Sequence, residues 1–161
     1  MRKEIRGDVH ERTESRKRMS ILEKAIAVAV GAHAGQRDKA GRPYILHPLR
    51  VMHGCASDDE RIVAILHDVL EDTEVTEADL RQAGFGDELI AALRCLTKAE
   101  GEHYADFIGR LMPNPLARRV KTLDLLNNMD CSRLTTFDDK DAARMQRYVA
   151  ALARLREPRA T

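Results

Sequence analysis

Tryptophan is absent from this 161-residue chain, and aromatic residues make up only 4% of it. Ala and Leu dominate instead and β-branched runs are short, a composition that favours helices over sheet. Cysteine is scarce too. Cys55, Cys95 and Cys131 are odd in number, widely spaced and without a Cys-x-x-Cys pair. That argues against a disulfide or thiolate-zinc framework and for free thiols in a reducing compartment. No window of about 20 apolar residues is present, so nothing is expected to span a bilayer. The opening "MRKEIRGDVHERTESRKRMS" has no apolar core of a secretory signal, and a cytoplasmic location is the expectation. An excess of one charge is missing as well: 27 Lys and Arg stand against 26 Asp and Glu. No overall field draws the chain to DNA, RNA or a membrane surface. A glycine-rich phosphate loop of the Walker or dinucleotide type is likewise lacking.

What remains suits one compact domain with a real core. Residues 1–19 read as a mixed-charge arm, 20–156 as the folded domain and 157–161 as a tail. Ser20 is placed to cap a helix whose apolar residues recur at helical spacing, from Ile21 to Val30, and which Gly35 ends. A polar loop, "QRDKAGRPY", follows. A second helix is expected to start with Pro48 in its first position and His47 at or before the cap. A third runs from about Asp58 to Leu70. Thr76 and Asp79 have capping-box spacing, and further helices fit Asp87–Leu96, His103–Leu111, Leu116–Met129 and Asp139–Leu155. The fold class expected is all-α, with roughly six to eight helices.

Within the third helix, "AILHDVLEDTEVT" sets His67, Asp68, Glu71 and Asp72 into an apolar run. His67 and Glu71 are four apart, as are Asp68 and Asp72, so each pair shares a face and the faces adjoin at about 100° per residue. His67 and Asp68 can both reach one metal ion, with Glu71 and Asp72 a turn further on. The alternative is an exposed acidic C-terminal turn. Acids at that end oppose the helix dipole, and no Lys or Arg follows to compensate. This segment alone does not decide between the two. His47, at a helix mouth beside Tyr44 and Ile45, is either a ligand or a structural imidazole. In "RRVKTLDLLNNMD", Asp124 falls among inward-facing apolar positions and needs a partner, either Lys121 at i−3 or a metal. Asn128 lies one turn after it.

Taken together, "GQRDKAGRPYILHPLRV", "AILHDVLEDTEVT" and "VKTLDLLNNM" resemble, in this order and at these separations, the HD-domain hydrolases of the RelA/SpoT type. These enzymes remove the 3′-pyrophosphate from the alarmone (p)ppGpp. The likeness covers roughly residues 20–155 and is closest to the small, single-domain members. It implies an all-α HD fold with one Mn²⁺ held by His47, His67, Asp68 and Asp124. Mixed imidazole and carboxylate donors without thiolate suit Mn²⁺, Fe²⁺ or catalytic Zn²⁺. By the same resemblance, Glu71 and Asp72 orient or deprotonate the attacking water. Lys39 clamps phosphate with help from Arg37 and Arg42, and Asn128 bonds the substrate near its ribose.

Three positions depart from the family pattern. Asp38 stands where an arginine typically lies against the guanine, Leu125 follows the metal aspartate in place of a polar residue, and Cys131 replaces a small hydroxyl residue. The ligand set is intact while the base-recognition set is altered. The larger relatives carry synthetase domains after the hydrolase, and with the chain ending at Thr161 hydrolysis without synthesis is expected. The expected partner is a small-molecule nucleotide. An HD-fold homodimer is allowed, and nothing in the sequence demands it. Two other readings stand beside the leading one: an HD phosphohydrolase for a different nucleotide or phosphoester, and a nucleotide-binding module without turnover.

Overall fold

The computed structural model describes residues 19–133 and 136–158. The arm read over 1–19, Met19 excepted, and most of the tail read over 157–161 lie outside them. Among the described residues the regular elements are helical, joined by one isolated bridge between Arg37 and Pro43. The all-α expectation holds. The helices are α1 (Ile21–Ala32), α2 (Leu46–His53), α3 (Asp58–Leu66), α4 (Val69–Asp72), α5 (Glu77–Gln82), α6 (Asp87–Leu96), α7 (Tyr104–Leu111), α8 (Pro115–Asn128) and α9 (Asp139–Leu155), with a 3₁₀ turn at Cys131–Arg133.

Local chemistry sets many of the helix ends. Ser20 and Glu23 form a capping box at α1, and Thr76 and Asp79 form another at α5. Each satisfies two orphan backbone donors reciprocally. Ser57 caps α3, whose first turn carries Asp58, Asp59 and Glu60 at the positive end of the dipole. Helix α2 starts two residues before the expected position, at Leu46, which puts His47 inside the first turn and Pro48 one residue later. A first turn tolerates proline because its N–H groups have no helical acceptor in any case.

Helix α3 is the hub. It packs against α1, α2, α6 and α8, and its residues Ile62, Val63, Ala64, Ile65 and Leu66 are all buried. A helix enclosed on every side needs apolar residues all round, which is why this run shows no polar face. Each buried aliphatic side chain contributes roughly 1.5–3 kcal/mol of transfer free energy.

The single helix expected over 58–70 is two. The break falls at His67 and Asp68, where the backbone stays near helical values (φ −60°, ψ −30° and φ −98°, ψ −5°). Its cause is local. His67 Nδ1 donates to the Ala64 carbonyl oxygen at 2.7 Å, a side-chain bond that competes with the helix ladder for that acceptor. The next four residues restart as α4, with Asp72 N–H bonded to the Asp68 carbonyl at 2.9 Å.

Candidate metal centre and substrate cleft

Four side chains from three places in the chain converge at the base of one cleft: His47 from α2, His67 and Asp68 from the α3–α4 break, and Asp124 from α8. His47, His67 and Asp124 are buried, and their ligand atoms lie within 4.8 Å of one another. Asp68 Oδ2 joins them, 3.0 Å from His67 Nε2 and 3.7 Å from His47 Nε2. Asp124 Oδ1 lies 3.1 Å from His47 Nε2 and 3.6 Å from His67 Nε2.

The far side of each ring fixes its tautomer. A carbonyl can only accept, so the bond to Ala64 puts the His67 proton on Nδ1. His47 Nδ1 in turn meets the Asn127 side-chain oxygen at 2.9 Å. In their neutral forms both rings therefore turn Nε2 lone pairs to the carboxylates, the arrangement in which outer partners orient imidazoles for a metal. A lone pair about 3 Å from a carboxylate oxygen is repulsive unless positive charge sits between them. His67 Nε2 is buried and has no hydrogen-bond partner among the described residues. Burial opposes a charge on His67, yet the Asp68 and Asp124 carboxylates raise its pKa well above the usual imidazole value. The base of the cleft calls for a cation, and this donor set fits a divalent ion.

Both oxygens of Asp124 and one oxygen of Asp68 are engaged at the base. Burial would push Asp124 up, but Lys121 and the two imidazoles hold it well below the ordinary carboxylate range. Lys121 Nζ donates to its Oδ2 at 2.8 Å and Asn128 Nδ2 to its Oδ1 at 2.6 Å. Asp68 is likewise lowered, against burial, by positive charge at His67 and by the Tyr44 hydroxyl. The Tyr44 hydroxyl donates to Asp68 Oδ2 at 2.5 Å.

Above this base the cleft encloses about 440 Å³, the scale of a nucleotide-sized ligand. One wall is the loop before α2, with Arg37, Asp38 and Lys39; the other is formed by Asn128, Asp130, Arg144 and Tyr148. Asp38 closes its own loop, its Oδ1 accepting from the backbone N–H of Ala40 (3.0 Å) and Arg42 (2.9 Å). Gly41 completes that turn at φ +74°, where a side chain would be strained.

Glu71 and Asp72 sit apart from this lining. Glu71 Oε2 accepts the Lys98 backbone N–H at 2.9 Å. At Asp72, burial followed by the charges of Asp68 and Glu71 raises the carboxyl above its usual value. Tyr44, Asn127, Arg144 and Tyr148 gain a place that sequence reasoning did not assign. Arg144 and Tyr148 are four apart on α9 and so share a face, a spacing visible in the sequence. Nothing in the sequence distinguishes Asn127 from Asn128 as the partner of His47.

No family model matches the chain. Over 160 residues, 91% of its length, it is 32% identical to a probable GTP pyrophosphokinase of Mycobacterium leprae, of which it spans 20%. It is 32% identical over 120 residues to a guanosine-3′,5′-bis(diphosphate) 3′-pyrophosphohydrolase of Aquifex aeolicus, covering 67% of this chain and 17% of that protein. A Vibrio cholerae protein of the same description is 33% identical over 137 residues, or 76% of this chain and 19% of the other. The chain thus spans about a fifth of the length of these curated relatives. Among solved structures, a metazoan ortholog of SpoT, described as hydrolysing ppGpp with a role in starvation responses, matches with a TM-score of 0.69 and 20% identity. That match covers 86% of this chain and 87% of the other, and it concerns the fold.

Proposed function

Since this chain belongs to the RelA/SpoT family, we propose that it is a metal-dependent phosphohydrolase that removes the 3′-pyrophosphate from (p)ppGpp or a closely related nucleotide. The proposed catalytic unit spans residues 20–156. The observation that carries the reading is the convergence of two like-tautomer imidazoles on two carboxylates, Asp124 buried and Asp68 half-buried, at the base of a cleft walled by Arg37, Lys39 and Arg144.

His47, His67, Asp68 and Asp124 would hold the ion, with Mn²⁺ the favoured species. A divalent ion there supplies Lewis acidity, making water more acidic and offsetting phosphate charge. Lys39 and Arg37 neutralise the diphosphate from the loop wall. Asn128 and Tyr148 face the nucleoside side, and Asn128 stands near the ribose. Asp72, with its raised carboxyl, accepts the proton lost by the attacking water while Glu71 orients the α4 end. Water adds to phosphorus as the bond to the ribose 3′-oxygen breaks; that oxygen takes up the proton passed on from Asp72 through solvent, and the 3′-hydroxyl and pyrophosphate leave. Asp38 holds its own loop, which leaves base contacts to the α9 wall and opens the choice of nucleotide. One observation favours a second reading, a nucleotide-binding module without turnover: the Glu71 carboxylate is tied to the Lys98 main chain.

Mn²⁺-loaded protein incubated with ppGpp and a nucleotide panel tests the proposal, with Asp68→Ala and Glu71→Ala alongside. Pyrophosphate release from ppGpp by the wild type, lost in Asp68→Ala, is the expected result. Turnover of another nucleotide in place of ppGpp changes the substrate, and metal binding with no turnover at all selects the binding module.

A further inference from the structure

His33 has no part in the ligand set, yet it is buried at 2% exposure at the C-terminal end of α1. Its surroundings define its proton. Gln36 Nε2 donates to the Asp72 carbonyl at 2.9 Å, which turns the Gln36 amide oxygen toward His33 Nδ1, 2.8 Å away. That oxygen accepts, so Nδ1 carries the hydrogen. The His33 ring packs against Tyr44 with centroids 5.0 Å apart, and the Tyr44 hydroxyl reaches Asp68 Oδ2. A single cluster at the end of α1 thus touches α4 at both of its ends, Asp68 before it and Asp72 at its last residue.

The geometry points to a brace in which His33, Gln36 and Tyr44 are positioning residues for the metal centre. Tyr44 holds one oxygen of Asp68 toward the imidazoles, and the His33–Gln36 pair anchors the main chain at Asp72. Helix α4 needs such an anchor because it has only four residues and its start, Asp68, makes no side-chain cap bond. A short helix contributes little stability of its own, so its position comes from tertiary contacts. Partners of this kind typically alter metal affinity roughly 10–100-fold when removed. The inference rests on the proposal that Asp68 is a metal ligand.

Calorimetric titration of Mn²⁺ into the full chain provides the test, since it does not depend on which substrate is turned over. Tyr44→Phe removes one oxygen and is expected to weaken Mn²⁺ binding about tenfold. His33→Phe keeps the ring against Tyr44 but loses the N–H to Gln36, and it should also weaken binding. His33→Asn, which restores an N–H donor near the place of Nδ1, should recover most of that loss. Helical circular dichroism confirms that each variant is folded. Unchanged affinity in Tyr44→Phe would overturn the role of Tyr44, and equal behaviour of His33→Phe and His33→Asn would overturn that of the imidazole donor. If the wild type binds Mn²⁺ but hydrolyses no nucleotide, the functional proposal fails while the affinity comparison still stands. If the wild type binds no Mn²⁺, both fall.

Discussion

The base of the cleft and the loop that overhangs it are held by contacts of opposite range. His47, His67 and Asp124 are at most 7% exposed, and the Asn127 that orients His47 lies 80 positions away in sequence. The loop closes on itself: Asp38 accepts from Ala40 and Arg42, and Arg37 donates to the Gly41 carbonyl at 2.8 Å. Groups that must assemble a fixed charge pattern sit where packing from four helices constrains them. Groups facing a ligand sit where local hydrogen bonds shape the backbone and leave the side chains to vary. Altering the base should therefore cost stability and metal together, whereas altering the loop should cost binding alone.

The strongest expected effect is at Asp124. Asp124→Asn removes a proposed ligand and leaves the largely buried Lys121 without its countercharge. Breaking such a pair costs about 3–5 kcal/mol, so elemental analysis should show metal loss and thermal unfolding a large drop. A variant that kept both metal and melting temperature would erase the distinction between base and loop. Leu66→Ala, at the fully buried end of α3, should cost about 2–5 kcal/mol by the cavity it leaves. Denaturant unfolding measures this directly, and a cost under about 1 kcal/mol would show that α3 is not the hub.

Loop changes sharpen the contrast from the other side. Lys39→Ala should raise KM for a diphosphate-bearing nucleotide roughly tenfold while shifting stability by less than about 0.5 kcal/mol, as expected of an exposed position. A matching loss of melting temperature would mean that the loop is part of the packed frame after all. The smallest effect lies far from the cleft. The hydrogen bond from Arg94, assisted by Arg81, holds the Glu77 carboxyl at about 2, below its ordinary 4.5. A lowered carboxylate stabilises the fold above pH 4.5 and loses that contribution as pH falls toward 2. Solvent screening keeps it under about 1 kcal/mol. Melting curves between pH 6 and 3 should therefore fall slightly less steeply for Glu77→Gln than for the wild type.

What could be read in advance was what depends on near neighbours. The Ser20 cap, the Thr76–Asp79 capping box and the spans Asp87–Leu96 and Asp139–Leu155 agree between sequence and structure. Caps and amphipathic spacing act within four residues, so the sequence carries them intact. The same range explains why the break at His67 was missed: an apolar run predicts a continuous helix, whereas at the break the ring bonds the Ala64 carbonyl.

By itself, then, the sequence determined the helical class, most helix ends and a short set of residue types able to hold a metal or a phosphate. Tertiary structure alone decided which of them meet. His47 and Asp124 are far apart in the chain and come within 3.1 Å because α2, α3 and α8 pack together. Asn127 rather than its neighbour Asn128 turns to His47, and Glu71 turns to Lys98, by the same long-range packing. The physical reason is that burial joins side chains by shape and apolar area, which leaves no signature at any fixed spacing along the chain.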